Sequence, residues 1–222
     1  MKGRSSTPSR RAAVAATVFA ASASVLGVQS PAQAGNWGST ACGGTPVNCV
    51  STANNRTHAI RYVDFGFRPG YEDADAHVPG AASETNWVIS SVYNPTVLSV
   101  YRDEADAYPD VWMYDANYGY LSGVTGWVEC PPDNTGTGGS HPNRWCRGQR
   151  LRLNSYFYWY DSGVYDTIDQ RRNVICHEMG HTLGLRHRTD TRASCMWTYA
   201  GDGGGSTLDA HDTGHITARY GS

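Results

Sequence analysis

Residues 177–187 read His-Glu-Met-Gly-His-Thr-Leu-Gly-Leu-Arg-His. Around them Ile168, Val174, Ile175, Met179 and Leu183 recur at helical spacing, which predicts a helix over about 167–185. On that helix His177 and His181 stand one turn apart, so both imidazoles leave the same face and can share a cation. Glu178 lies about a quarter-turn round, where it reaches a water on that cation without becoming a ligand. Gly184 can take the left-handed conformation that ends a helix and turns the chain sharply. The turn brings His187 back as a third nitrogen donor. Three histidines with one position left open are the donor set of a catalytic zinc, not of a closed structural one. Paired histidines on a helix are often ordinary surface or core residues, but the extended pattern, with Glu178 and Gly184 in register, favours the metal.

The rest of the chain frames that helix. Residues 57–65 alternate large side chains and read as a strand, and further strands are expected at 96–101, 110–115, 124–130 and 150–160. In the last of these Tyr156, Phe157, Tyr158, Trp159 and Tyr160 run too continuously for a half-exposed strand. Trp87, Val88, Val92 and Tyr93 predict a helix over 81–93 that Pro95 stops. The Gly/Asn/Pro-rich residues 131–143 form a loop, and the Gly-rich residues 201–205 precede a last short helix over 208–220. Residues 35–56, rich in Gly, Asn, Ser and Thr, read as an irregular N-terminal segment and not as a domain. Strand, helix, four strands, helix, loop, helix is the order of one α/β domain, a twisted sheet with helices packed on it.

Residues 1–34 stand apart in composition. Lys2, Arg4, Arg10 and Arg11 precede the apolar run 12–28, and Ala32-Gln33-Ala34 fits the small-x-small rule of signal peptidase. A membrane anchor is the alternative, but the run is short, rich in Ala and Ser, and broken by Gly27. We therefore expect a signal peptide over 1–34, cleaved after Ala34, and a secreted, extracellular catalytic domain over 35–222. No later stretch is long enough to cross a bilayer. The formal net charge is −2, and beyond the leader 14 arginines face 20 acidic residues. A mildly acidic body with no basic run argues against nucleic acid as the main partner and against an anionic membrane surface; a monomer is expected. All six cysteines lie beyond the leader. In an oxidising compartment an even count reads as disulfides, and short loops favour Cys42–Cys49, Cys130–Cys146 and Cys176–Cys195 among the fifteen connectivities. Ligation of metal by thiolate is the alternative, which no C-x-x-C spacing supports.

With residues 177–187 and the downstream Ser194-Cys195-Met196-Trp197, the sequence resembles the metzincin clan of zinc endopeptidases and is similar to its small bacterial, matrixin- or snapalysin-like members. The resemblance is motif-level at 177–199 and a looser match of element order over 57–199; residues 35–56 fall outside it. It implies a single α+β (α/β-type) domain whose twisted, mostly parallel sheet of about five strands carries an antiparallel edge strand, an active-site helix and a C-terminal helix. It implies a Met-turn whose Met196 forms a hydrophobic floor beneath His177, His181 and His187. It also implies hydrolysis of protein or peptide held in extended conformation, with one catalytic zinc and with Glu178 as general base to a metal-activated water. In the clan an edge strand before the helix pairs with substrate; Gly126, Trp127 and Val128 are the candidates here, an ordinary interior strand being the other reading. Tyr199 stands one residue past the place where some metzincins carry a zinc-binding tyrosine, and is assigned first to the pocket wall and second to an oxyanion or ligand role. Arg188 follows the third histidine where the best-known groups carry Glu, Asp, Ser or Pro, so the motif points to the clan rather than to one family within it.

Cys176 abuts His177 and Cys195 abuts Met196, so a bridge between them would staple the helix to the Met-turn. His211 and His215 are also one turn apart, but Gly214 and the want of a third ligand make packing the expected role over a second zinc. His58, His77 and His141 stand alone. The pairs Asp73/Asp75 and Asp161/Asp166 are weak candidates for structural calcium, since no full calcium loop is present. Cys42 or Cys49 as a latency thiol on the zinc is disfavoured by the even cysteine count. Two other classes stay open: a zinc amidase acting on a non-protein amide such as peptidoglycan, and a binding module with structural zinc. Glu178 argues against the second, because a structural site gains nothing from a carboxylate beside an open position.

Overall fold

β-Branched and aromatic residues in alternation give the chain its strands. The computed structural model of the protein describes residues 36–41, 49–63, 78, 80–131, 137–159, 165–199 and 203–222, all within the unit Pro31–Ser222. The leader, Cys42, Asp73, Asp75, His77 and Asp161 lie outside the described residues. Strands β1 (Thr57–Val63), β2 (Ser99–Arg102), β3 (Val111–Ala116), β4 (Gly126–Glu129), β5 (Thr137–Gly138), β6 (Trp145–Cys146) and β7 (Gln149–Asn154) follow in order. Five of them form one sheet, β2-β1-β3-β7-β4. Its pairings are parallel except for β4, which runs antiparallel to β7 at the edge. This is the mostly parallel sheet with one antiparallel edge that the resemblance implies. The two-residue strands β5 and β6 pair within the long loop, whose base is closed by Cys130–Cys146.

One face of the sheet carries the core. Ile60, Met113, Leu151 and Leu153 are fully buried against Ile175 and Met179 of the long helix. The other face pairs arginine with aromatics: the Arg61 guanidinium lies 5.0 Å over the Trp112 ring and Arg152 lies 5.0 Å over Tyr114. Helix α1 (Ala81–Val88) widens into a π turn, Ile89–Tyr93, and stops before Pro95, which has no N–H to continue it.

The expected strand over 150–160 is corrected. β7 ends at Asn154, and Tyr156–Trp159 form a helical turn, α2. Asn154 is the reason. Its Oδ1 accepts from the Tyr118 and Tyr156 amides, and its Nδ2 donates to the Gly119 and Val124 carbonyls. The side chain thus replaces the ladder, and the aromatic run folds inward, burying Phe157 and Tyr158.

Helix α3 (Ile168–Thr182) starts at Thr167, whose hydroxyl accepts from the Gln170 amide. It ends where Gly184 takes φ +102°. A side chain there is also excluded by space, since a Cβ would stand 2.9 Å from the Trp37 ring. Helix α4 (Ala210–Tyr220) starts at Asp209, which accepts from the His211 and Asp212 amides. At its far end the Tyr220 hydroxyl donates to the Leu183 carbonyl at 2.9 Å, tying α4 to the end of α3. The N-terminal segment is irregular, as expected, yet it belongs to this corner. Gly38 donates to the Gly184 carbonyl at 2.8 Å and Arg186 donates to the Gly38 carbonyl.

Candidate metal centre

The i, i+4 spacing on α3 and the turn at Gly184 bring His177, His181 and His187 together. One ring nitrogen of each lies within 4.8 Å of the others, and the ring centroids are 4.6, 4.9 and 4.9 Å apart. His177 Nδ1 faces the Cys195 carbonyl and His181 Nδ1 faces the Leu185 carbonyl, each at 2.8 Å. A carbonyl only accepts, so both Nδ1 atoms carry the proton. Burial and the neighbouring imidazole of His187 push His177 down to about 3, and burial pushes His181 well below its ordinary value. Both rings are therefore neutral, and both Nε2 atoms present lone pairs. These two acceptors lie 3.0 Å apart and cannot bond to each other. A cation between them satisfies both, which is the fit expected of a metal site.

Glu178 is 4% exposed, and its Oε2 has no hydrogen-bond partner among the described residues. Burial raises its affinity for a proton, pushing it up to about 8. It opens with the three histidines onto a cleft of about 280 Å³. Asn173 and Val174 continue the cleft along α3, with Tyr165 from the segment before that helix; Thr198 and Tyr199 form one side, and residues 123–126 form the other.

Behind the histidines sits a tight turn. Trp197 donates to the Ser194 carbonyl, and Met196, fully buried, packs against α3. A Cβ at Gly180 would come 2.4 Å from the Met196 sulfur, so the second variable position of the histidine motif has no room for a side chain. Cys176 and Cys195 are bonded, Cα atoms 6.0 Å apart, stapling helix to turn as expected. Cys49 is also disulfide-bonded; its expected partner Cys42 lies outside the described residues. Cys49 therefore offers no free thiol to a metal.

A largely buried cluster of charge lies behind His187, and no local sequence pattern announces it. Arg188 is 7% exposed; it donates twice to Asp190, at 2.9 and 2.7 Å, and once to Asp209, at 2.6 Å. Its Nη1 also lies 3.7 Å from Asp212, which is wholly buried. Asp212 accepts from Asn36 Nδ2 at 2.7 Å and from the Ser194 hydroxyl, which itself accepts from the Met196 amide. The residue after the third histidine is thus wired through α4 to the Met-turn and the N-terminal segment. Asp190 is local to Arg188, but Asp209 and Asp212 come from the start of α4, which no spacing around His187 reveals.

The remaining candidates divide. β4 is the edge strand, and Asn154 donates to the Thr125 carbonyl, so Thr125 and Trp127 bond inward and the Gly126 and Val128 backbones face outward. Of these, Gly126 lines the cleft. The Val128 carbonyl already accepts from the Cys49 amide at 2.7 Å, and the side chains of Trp127 and Val128 are buried. Tyr199, 61% exposed, lies against Trp197. His215 stacks on Trp37 and His211 Nε2 lies 3.0 Å from Asn36 Oδ1, which is the packing role expected of them. Asp166 pairs with Arg171, and nothing among the described residues supports calcium.

A model of the matrixin family matches residues 105–221, a little over half of the chain and the part that carries β3 to α4. No curated protein matches it significantly.

Proposed function

The chain belongs to the matrixin family and is a zinc metalloendopeptidase, and we propose that it is exported and cleaves extended peptide segments with Glu178 as general base. The observation that carries the reading is the pair of bare, neutral imidazole nitrogens beside a buried carboxylate that has an oxygen to spare. His177, His181 and His187 would hold the metal. When bound, zinc acidifies a water and polarises the scissile carbonyl. Glu178 takes the proton from the attacking water and passes it to the leaving amine. Met196 supports the imidazoles from below, and Tyr199 walls the cleft. The outward amide and carbonyl of Gly126 pair with the substrate backbone, while Trp127 anchors the strand beneath. Because Cys49 already covers Val128, and Val124 bonds to Leu121 and Asn154, the open position of the edge is Gly126. Residues 1–34 direct export, and cleavage after Ala34 releases 35–222. The two described disulfides and the lack, among the described residues, of a helix long and apolar enough to cross a membrane agree with that.

The test is hydrolysis of an unfolded protein by the exported chain beside Glu178→Ala, with zinc counted in both. We expect one zinc in each and a loss of about 10²- to 10⁴-fold in rate for the variant. Equal cleavage by both would overturn the role of Glu178, and absence of zinc from both would overturn the site.

A further inference from the structure

We propose that Gly126 is a positioning residue for Glu178: the missing side chain on the edge strand is the space in which the carboxylate of the general base is held. The inference rests on the reading of Glu178 as base, but its geometry stands apart from it.

A Cβ built on Gly126 would lie 2.8 Å from Glu178 Cγ and 3.0 Å from Glu178 Oε1. Contacts that short are not found, so something must shift. Gly126 sits in the β4 ladder, paired with Leu153 of β7, and its backbone is of the ordinary extended kind, with no positive φ to demand glycine. The backbone is therefore the fixed party and the end of the Glu178 side chain the movable one. Glycine is required here by the Glu178 side chain and, less closely, by the Arg152 carbonyl, which a Cβ would approach at 3.1 Å.

The contact also explains how a carboxylate with an unbonded oxygen keeps one orientation. Among the described residues Glu178 Oε2 has no hydrogen-bond partner to fix it, so close packing contributes to its placement. The flat surface of Gly126 lies against Glu178 Cγ and Oε1, with Gly126, Glu178 and the three histidines all lining the cleft. General-base catalysis depends steeply on such placement, since a displacement on the order of 1 Å can cost about a hundredfold in rate.

The test is a double-mutant cycle of Gly126→Ala and Glu178→Ala, each chain purified in its zinc-loaded form. We expect Gly126→Ala to lower kcat about 10- to 100-fold with KM changed less than threefold and zinc content unaltered. A rise in KM with kcat intact would overturn the inference, because it would make residue 126 a substrate-pairing position only. Thermal unfolding gives a readout that needs no activity. Gly126→Ala should lower the Tm of the parent by several degrees and that of Glu178→Ala by clearly less, since the obstructing Cγ and Oε1 are gone. Equal losses in the two backgrounds would overturn it, as they would trace the cost to the Arg152 carbonyl. Should Gly126→Ala not fold, recovery of folding in the double variant supports the contact and failure of both overturns it. If the parent itself cleaves nothing, the unfolding cycle still decides this contact, so the two readings fail separately.

Discussion

On the helix side of the cleft, residues 176–197 are tied by a disulfide, by two imidazole–carbonyl hydrogen bonds and by the Arg188 cluster. On the strand side, residues 123–129 hang on the ladder to β7, with the Cys49 amide on Val128 and the Glu129–Arg152 pair at the far end. Metal ligands must hold their geometry closely, so their supports are covalent, charged and buried. A strand that takes up a peptide must instead keep an edge unpaired. On the proposed function, the two walls would carry different restraints because they would do different work.

The largest break in this comparison should come from Asp212→Ala. It removes the carboxylate between Arg188, Ser194 and Asn36 and leaves a buried guanidinium less compensated, for a loss of about 3–5 kcal/mol in urea unfolding. A loss no greater than that of a strand-side charge would abolish the asymmetry. Next is the staple. Replacing Cys176 and Cys195 together by Ser should cost about 3 kcal/mol and weaken zinc binding about 10- to 100-fold in a chelator competition. Unchanged zinc affinity would mean that the bridge stabilises the fold without shaping the site.

A pH effect behind the helix wall follows in size. His58 on β1 is wholly buried and donates from Nε2 to the Thr182 hydroxyl, which spends its own proton on the Met179 carbonyl; His58 Nδ1 has no partner among the described residues. Burial, only partly offset by the negative Asp110, pushes His58 down to about 4. Between its ordinary value and about 4 the unfolded chain binds a proton that the folded chain refuses, so stability falls as pH falls through that window. The cost is about 2 kcal/mol between pH 7 and 5. His58→Gln, whose amide can still donate to Thr182, should show a flatter dependence in unfolding at the two pH values; an identical slope would remove His58 from the account. The smallest effect belongs to the strand wall. Glu129→Gln gives up a partly exposed pair with Arg152 and should lose less than about 1 kcal/mol, with zinc content unchanged.

The legible parts of the sequence were those encoded at short range. The helix over α3, its end at Gly184 and the three histidines follow from spacings of a few residues, the Met-turn came with the family resemblance, and the two disulfides close loops of 16 and 19 residues. The illegible parts rest on contacts between distant segments. The aromatic run 156–160 carries strand propensity, yet Asn154 ends the strand because its amide meets loops at Gly119 and Val124. Arg188 looked like a departure from the motif; its meaning lies in Asp209 and Asp212 on the helix that follows. Residues 35–56 looked peripheral by composition, but Asn36 and Trp37 close the corner over Asp212 and His215.

By itself the sequence determined which atoms can bind a metal and which carboxylate stands beside them, because a helix places residues one turn apart on one face whatever surrounds it. Only the tertiary structure decided which glycine makes room for that carboxylate, which charge holds the loop after His187, and which part of the edge strand stays open. Those are matters of a few ångströms between segments far apart in the chain, and no local pattern carries them.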